Sequence, residues 1–435
     1  MSMARIISLF MIFTVIICTL IGCKKNQEID NSGVLQGQTI KISAWWDPEP
    51  QAGTELNDAR IKQIEAAEKK YGCKIEYVNI NDPLNKLVRS ANSGENVTDV
   101  CYIRMQWIKD LEEADAVYAI DEIGNPEKPL YYKQAIDNAK SNGKTYAFWY
   151  DPYLVEQVVL FNKNILDRAG VQSPYSLVEN KKWTYDAWLD IMQKTTDINS
   201  GIMGCGYQQA FDTVVMKGNN ASYYAEDNGK WIANTSDNKL LEAYTFLQEC
   251  INKWKVLDLN WMRDWTYTPT QFKEGRYATT VQNFESAVSN FVKDMPDDYG
   301  VLPIPIGPSA TDYARPHIEI QGFVIPKTVS KEKAVAILEF MDEAFCYPFD
   351  NQKEHIKNYY SSLVRDKESL DVLMMLQDYP IRVVEEYNCP DIRTSTYGVG
   401  ASFNNALKGD VSVRSALDSE KGKIQAMLDE YYGQK

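Results

Sequence analysis

The chain has 435 residues, 44% hydrophobic and 12% aromatic, which is ample for two globular lobes or domains. Its formal net charge of −14 argues against a nucleic-acid surface, which needs a basic stripe. Only two histidines, His317 and His355, are present and they lie apart in sequence, which argues against a histidine-based metal site.

The first residues read differently from the rest. Arg5 supplies a positive charge, Ile6 to Ile21 is an almost unbroken apolar run, and Leu20-Ile21-Gly22-Cys23 is followed at once by Lys24-Lys25. An apolar segment this short, closed by a small residue, reads as an export signal over residues 1–22. The competing reading is an uncleaved anchor helix. The tetrad Leu20 to Cys23 resembles the lipobox of bacterial lipoproteins. That resemblance implies a lipid on Cys23 that holds the mature chain to the membrane, with residues 23–38 as a flexible tether. No later stretch is apolar and long enough to cross a bilayer. Beyond Cys18 and Cys23 the cysteines are Cys73, Cys101, Cys205, Cys250, Cys346 and Cys389, with no C-x-x-C spacing. Export permits disulfides, and buried thiols are an equal alternative.

In chain order, Thr39 to Ala44 alternates as a strand and Asn57 to Tyr71 carries Ile61, Ile64, Ala67 and Tyr71 at helical spacing before Gly72. Lys74 to Ile80 is a second strand, Asp82 to Ala91 a helix, Thr98 to Ile103 a third strand, and helix resumes at Trp107. Strand, helix, strand in this order predicts a parallel, doubly wound α/β lobe. A second such pattern starts past Gly143. Tyr146 to Tyr150 and Val155 to Phe161 read as strands, Asn164 to Ala169 as a short helix, and Thr184 caps a helix through Thr195. Asn228-Gly229-Lys230-Trp231 reads as a hairpin turn, and Asn238 to Trp254 and Val411 to Tyr432 as helices. No proline- or serine-rich linker separates the halves, which predicts several crossings between lobes.

Several segments, taken in order, resemble the bacterial extracellular solute-binding proteins of carbohydrate ABC transporters, the group that includes maltose-binding protein. They are Gly143-Lys144-Thr145-Tyr146, Val159-Leu160-Phe161-Asn162-Lys163, Ala169-Gly170-Val171 with Trp183 to Trp188, Phe272 to Ala278, Tyr299 to Pro308, and Gly322 to Val329. The resemblance implies an α/β, two-lobe, type II periplasmic-binding-protein fold with ligand held between lobes that close about a hinge. It places one lobe at 39–152 plus 282–332 and the other at 153–281 plus 333–435. It also implies a monomer with a carbohydrate ligand, permease subunits as partners and no cofactor. Two departures stand out. Phe161 replaces a tyrosine common in the family, and Ala278 to Phe284 lacks the usual turn, leaving Asn283 and Phe284 to substitute.

Sugar rings have polar edges and apolar faces, so their sites combine flat aromatic platforms with coplanar donors and acceptors. Ligands of open α/β sheets lie beyond the C-terminal ends of the strands. That rule selects Trp45, Trp46 and Asp47 after the first strand, Arg104, Gln106 and Trp107 after the third, and Trp149, Tyr150 and Asp151 at the crossing. Strand alternation predicts that one of Trp45 and Trp46 packs in the core while the other faces the cleft. Asp47 before Pro48 serves equally as a turn former, and Trp149 as hinge packing, which favours Tyr150 and Asp151. Tyr207, Gln208, Glu319 and Gln321 are further candidates, with Trp261, Asp264 and Trp265 weaker ones.

The leading expectation is a binding protein that passes a sugar to a permease. The ATPase would be a separate subunit, because this chain has no G-x-x-x-x-G-K-[ST] loop. The alternatives are a polyamine or peptide binder, which would use acids between rings, and a surface glycosidase using a pair among its 60 acidic residues. A nucleophile elbow, triad or zinc signature is absent from the sequence.

Overall fold

A computed structural model describes residues 32–206, 211–258, 266–318, 320–383 and 399–433. The signal segment 1–22, Cys23, Tyr207, Gln208, Glu319, Trp261, Asp264 and Trp265 lie outside the described residues.

β1 (Thr39–Ala44) buries Ile40 and Ile42 and exposes Lys41, as its alternation predicts. α1 (Glu55–Tyr71) starts where the Thr54 hydroxyl accepts the Asn57 N–H at 3.1 Å. It stops at Gly72, whose φ of 65° suits a residue without a side chain. β2 (Lys74–Asn79) pairs parallel with β1. α2 (Pro83–Ser93) then carries the chain over to β3 (Val100–Arg104), parallel on the other side of β1. The central strand β1 therefore sits at the switch point of a doubly wound half-sheet.

Residues 146–150 form no strand of their own. Only Phe148 pairs, exchanging both backbone bonds with Phe323, because this stretch leaves the first lobe. It enters β4 (Gln157–Asn162), whose six residues are all buried, as a central strand covered on both faces must be. α3 (Tyr185–Thr195), capped by Thr184, buries Trp188, whose indole N–H donates to Thr279 Oγ1 at 3.0 Å. β5 (Met203–Gly206), β6 (Leu257–Asp258), β7 (Tyr277–Asn283) and β8 (Tyr299–Leu302) complete a sheet of order β6-β5-β7-β4-β8. β4 runs antiparallel to both neighbours, so this sheet is mixed.

The chain returns with β9 (Gln321–Val324), antiparallel to β3, and α4 (Lys331–Phe345). Ala334, Ile337, Leu338 and Met341 of α4 share one buried cluster with Ile40, Ile42 and Ile64. Each of the isoleucine, leucine and methionine side chains contributes about 2 kcal/mol by leaving water. Past residues 346–351 the chain joins the second lobe, where α5 (Gln352–Leu363) buries Ile356 and Tyr360 and α6 (Val413–Tyr432) closes the described chain.

Three connections thus link the lobes among the described residues, at 150–156, near 318–320 and at 346–351. The expected boundaries shift in three places. β8 belongs to the second sheet through pairing with β4, although 282–332 had been placed with the first lobe. α4 belongs to the first lobe, since its apolar face meets α1 and β1. Residues 33–38, placed in the tether, belong to the first lobe instead, because Leu35 is fully buried and the Gly37 N–H donates to Gly72 O at 2.7 Å. Cys73, Cys101, Cys205, Cys250 and Cys346 are free thiols, and Cys389 lies outside the described residues.

Candidate functional site

The cavity is framed by an arginine on the buried face of α1. The Arg60 guanidinium is 6% exposed, and its Nη2 lies 2.5 Å from the Asp151 carboxylate on the first crossing. Its Nη1 donates to the carbonyls of Phe345 and Cys346 on the third crossing, the latter at 2.9 Å. One side chain of the first lobe thus ties two crossings together. Burial pushes the Asp151 carboxyl upward, and the neighbouring Arg60 pulls it back.

Beside this anchor, between the lobes, lies a cavity of about 420 Å³, within the range of small-molecule sites. The start of α1 contributes Asn57, the first crossing Trp149, Asp151, Tyr153 and Glu156, and the end of β7 Asn283 and Glu285. His317 and Gln321 come from the second crossing, and Tyr347, His355 and Tyr359 from the third and α5. All three crossings therefore supply side chains to one space. A smaller adjoining cavity of about 150 Å³ shares Asn57, Trp149 and Asp151 and reaches Pro48, Pro50 and Tyr102.

Three rings step along one wall. Trp149 stacks on Tyr153 with centroids 6.2 Å apart and planes 12° from parallel, and Tyr153 meets His317 edge-on at 6.2 Å. The Tyr153 hydroxyl is committed to Gln321 O at 2.5 Å, which fixes its ring as a platform. Glu156 accepts the Ile318 N–H at 2.8 Å and the side-chain amides of Gln157 at 3.1 Å and Asn283 at 3.4 Å. His317 Nδ1 lies 3.4 Å from Glu156 Oε2, yet burial, and then the nearby Arg315, hold the imidazole down to about 3. It is neutral at ordinary pH. Trp149 Nε1 and His317 Nε2 are both buried without a hydrogen-bond partner among the described residues. The indole nitrogen is a donor, and the imidazole nitrogen is an acceptor when Nδ1 carries the proton.

The tryptophan pair behaves differently from the alternation expected of it. β1 ends at Ala44, so Trp45 and Trp46 lie in the following turn. Both are half-buried and neither joins a core cluster. They pack on each other edge-to-face at 4.5 Å, Trp45 on Trp107 at 5.5 Å and Trp46 on Tyr102 at 5.1 Å. Arg104 sits over Trp45 at 5.2 Å and over Trp107 at 5.4 Å. Tyr431, in the last turn of α6, donates to Gln106 O at 3.2 Å, and Lys109 lies over its ring at 4.4 Å. Trp45, Trp46, Arg104, Gln106 and Trp107 thus gather at one sheet edge, beside the cavities rather than in their walls.

Of the other expected site residues, Asp151, Asn283 and Gln321 line the larger cavity. Asp47 is exposed and accepts the Glu49 N–H at 3.2 Å, the turn geometry that was its alternative reading. Tyr150 is 3% exposed and lines the smaller cavity, but its hydroxyl donates to Asp342 at 2.9 Å. Burial and that carboxylate raise its pKa well above the ordinary tyrosine range. Phe284 is 1% exposed and packs on Tyr360, a core ring. Sequence reasoning gave Trp149 to hinge packing and weighed the two histidines only as metal ligands or a catalytic base. Tyr153, Glu156, Tyr347 and Tyr359 were missed. The run Trp149-Tyr150-Asp151-Pro152-Tyr153, rich in rings at a lobe crossing, was the available signal for Tyr153.

The fold is similar to several solved structures. An ABC substrate-binding protein from Listeria monocytogenes in complex with cycloalternan matches with TM-score 0.65 and 18% identity, over 92% of this chain and 100% of that one. UgpB from Mycobacterium tuberculosis with glycerophosphocholine gives 0.64 and 15%, over 90% and 99% of the two chains. The GacH receptor of Streptomyces glaucescens, solved unliganded and with acarbose, gives 0.63 and 17%, over 91% and 99%. At these identities the likeness speaks for the two-lobe fold. No curated protein matches significantly. The family model of the bacterial extracellular solute-binding proteins matches residues 53–345, more than half of the sequence, and the chain belongs to that family.

Proposed function

We propose that this chain captures a sugar or oligosaccharide between its lobes and delivers it to the membrane subunits of an ABC transporter. The observation that carries this reading is the cavity at the crossings, where the rings of Trp149 and Tyr153 stand beside Asn57, Asp151, Glu156, Asn283 and Gln321. Rings suit the C–H faces of a sugar, and the mixed polar groups suit hydroxyls, which both give and accept hydrogen bonds. A ligand touching both lobes favours the closed state by its differential affinity for it, and the closed surface is what a permease reads. Cycloalternan and acarbose in the similar structures support a carbohydrate class. The sequence signal and Cys23 support a lipid-anchored, extracytoplasmic protein.

Carboxylates beside rings also favour a second reading, a polyamine. Titration of intrinsic fluorescence decides between them, since Trp149 lines the cavity. Neutral oligosaccharides should change the emission saturably. A response to spermidine with silence toward every glycan would reject the sugar reading, and turnover of a labelled oligosaccharide would reject a purely binding role.

A further inference from the structure

The crossings change partners abruptly, and two buried arginines mark where. On the first crossing Asp151 is tied to the first lobe through Arg60 of α1. The Tyr153 side chain stays with that lobe. Its ring packs in one cluster with Ile103, Met105 and Val324, and its hydroxyl donates to Gln321 O of β9. The carbonyl of the same residue goes the other way. It accepts from Arg315 Nη2 and from Gln377 Nε2, the latter at 2.9 Å. Gln377 ends the helix Lys367–Gln377, whose Leu373 and Leu376 lie in the second lobe's core. Arg315 is 2% exposed and donates through Nη1 to Gln377 O at 3.0 Å and Tyr379 O at 3.3 Å. The Val155 N–H then donates to the Tyr360 hydroxyl of α5 at 2.8 Å, which continues the attachment to the second lobe.

The third crossing repeats the pattern. The carbonyls of Phe345 and Cys346 accept from Arg60. The next residue, Tyr347, shares a 2.8 Å hydrogen bond between its hydroxyl and His355 Nδ1 on α5, and Phe349 stacks on that imidazole at 3.9 Å. His355 Nε2 also faces Glu55 of α1, but at 3.7 Å and with that carboxylate exposed. Guanidinium bonds to buried acceptors are charge-assisted and resist breaking, so bending is forced into the few backbone torsions between opposed clamps.

We propose that the lobes turn about the backbone between Tyr153 and Leu154 and between Cys346 and Tyr347, with Arg60 and Arg315 as the positioning residues that fix those points. This rests on the closure put forward above and locates it in the chain. Tyr153 lines the cavity, so a solute lying on its ring is held with the first lobe beside the point of rotation. A solute that also touches Asn283 or Glu285, on the second-lobe wall, spans the pivot and holds its two sides together.

The test is pulsed electron-spin distance measurement on the full chain, first without any solute. Keto-bearing residues introduced at the exposed positions Lys62 of α1 and Asp186 of α3 take the nitroxides and spare the native thiols. Arg60→Lys and Arg315→Lys keep the charge but lose the fork that grips several acceptors, and Gln377→Met removes the other donor to Tyr153 O. Each should move the ratio of separated to closed populations by at least about 5-fold, the low end of couplings between sites. Leu247→Ala, in the second-lobe core on the helix Asn238–Asn252, should lose stability in urea with the distance distribution unchanged. Clamp variants that lose stability yet keep the wild-type distribution would overturn the proposal. Circular dichroism recognises an arginine variant that fails to fold, and Gln377→Met, at a half-buried position, then decides.

Maltotriose, cellotriose and chitotriose are added next, in turn. A trisaccharide that closes the wild-type lobes should close Tyr153→Phe less completely, because the ring is no longer tied to β9. Equal closure would remove Tyr153 from the coupling. If none of the three closes the wild type, the sugar reading loses its support, while the solute-free ratios still decide where the lobes turn.

Discussion

Two ring-rich regions lie close together in this molecule, and they are built on opposite plans. At the end of β1, Trp45, Trp46, Trp107 and Tyr102 pack against one another, with Arg104 over two of the indoles. At the crossings, Trp149, Tyr153 and His317 line a cavity of about 420 Å³ and leave an indole N–H and an imidazole nitrogen without partners. The first region satisfies its rings internally. The second sets its rings along one wall of an open space, and its framework comes from Arg60 and the crossings. The density of aromatic residues in sequence therefore does not locate a binding site; the space that the backbone keeps open between rings does.

The two arginines give the sharpest way to break this contrast. Arg60→Ala removes the partner of a buried carboxylate and frees two carbonyls, so it should cost about 3 kcal/mol of stability. Arg104→Ala removes contacts over half-buried rings and should cost about 1 kcal/mol. Urea denaturation reads both. Because Asp151 is the stranded group, Arg60→Ala with Asp151→Ala should be more stable than Arg60→Ala alone. Equal losses at the two arginines would mean that the cavity frame is no more rigid than the ring cluster.

Ligand binding should separate the regions next. Trp149→Ala removes a platform and a donor, for a loss of about 2 kcal/mol, or ~30-fold in Kd. Trp45→Ala removes a ring that faces other rings, and its effect should stay below about 3-fold. The reverse order, measured by calorimetry with whichever neutral glycan binds, would move the site to the end of β1.

Much of the frame was legible from sequence. Period-2 alternation located β1 within its residue bounds, and Gly72 marked the end of α1 through its left-handed backbone. The C-terminal-edge rule led to Asp151, and the motif order to the fold. What escaped is what depends on long-range return of the chain. Tyr347 and Tyr359 reach the cavity only because α4 packs on the first lobe before α5 joins the second. Nothing local to those tyrosines reports that exchange. Trp45 and Trp46 misled because alternation was extended two residues past the last paired residue of β1. His317 was set aside because two histidines far apart in sequence argue against a metal site, whereas burial beside Arg315 keeps this one neutral.

That same burial predicts a pH response in the cavity half. His317 has its pKa lowered from 6.5 to about 3 in the fold, so the unfolded chain binds the extra proton between those values. Its stabilising share is complete above pH 6.5 and shrinks as pH falls toward 3, by about 1.4 kcal/mol for each unit. Burial lowers His355 in the same sense. Burial raises Asp151, which acts oppositely and favours the fold at lower pH. Melting temperatures of wild type and His317→Gln between pH 7 and 5 should therefore converge as the medium becomes more acidic. Parallel curves would show that the imidazole keeps its ordinary affinity for protons.

The smallest effect concerns a hydrogen bond that joins the turn beside the ring cluster to the opposite lobe. Tyr431 belongs to α6 of the second lobe, and Gln106 to the turn after β3 of the first, so their 3.2 Å hydrogen bond spans the cleft. Such a bond is made only while the lobes stand together, and a neutral, part-exposed one contributes about 1 kcal/mol at most. Tyr431→Phe keeps the ring under Lys109 and deletes only the hydroxyl. If the open and closed states exchange, losing the bond lowers the closed fraction and weakens apparent affinity by up to about 5-fold, with the melting of each lobe unchanged. Small-angle scattering of the unliganded variant should then show a slightly larger radius of gyration. Unchanged affinity and radius would detach the ring cluster from closure altogether, and leave the crossings as the sole elements that link ligand to lobe movement.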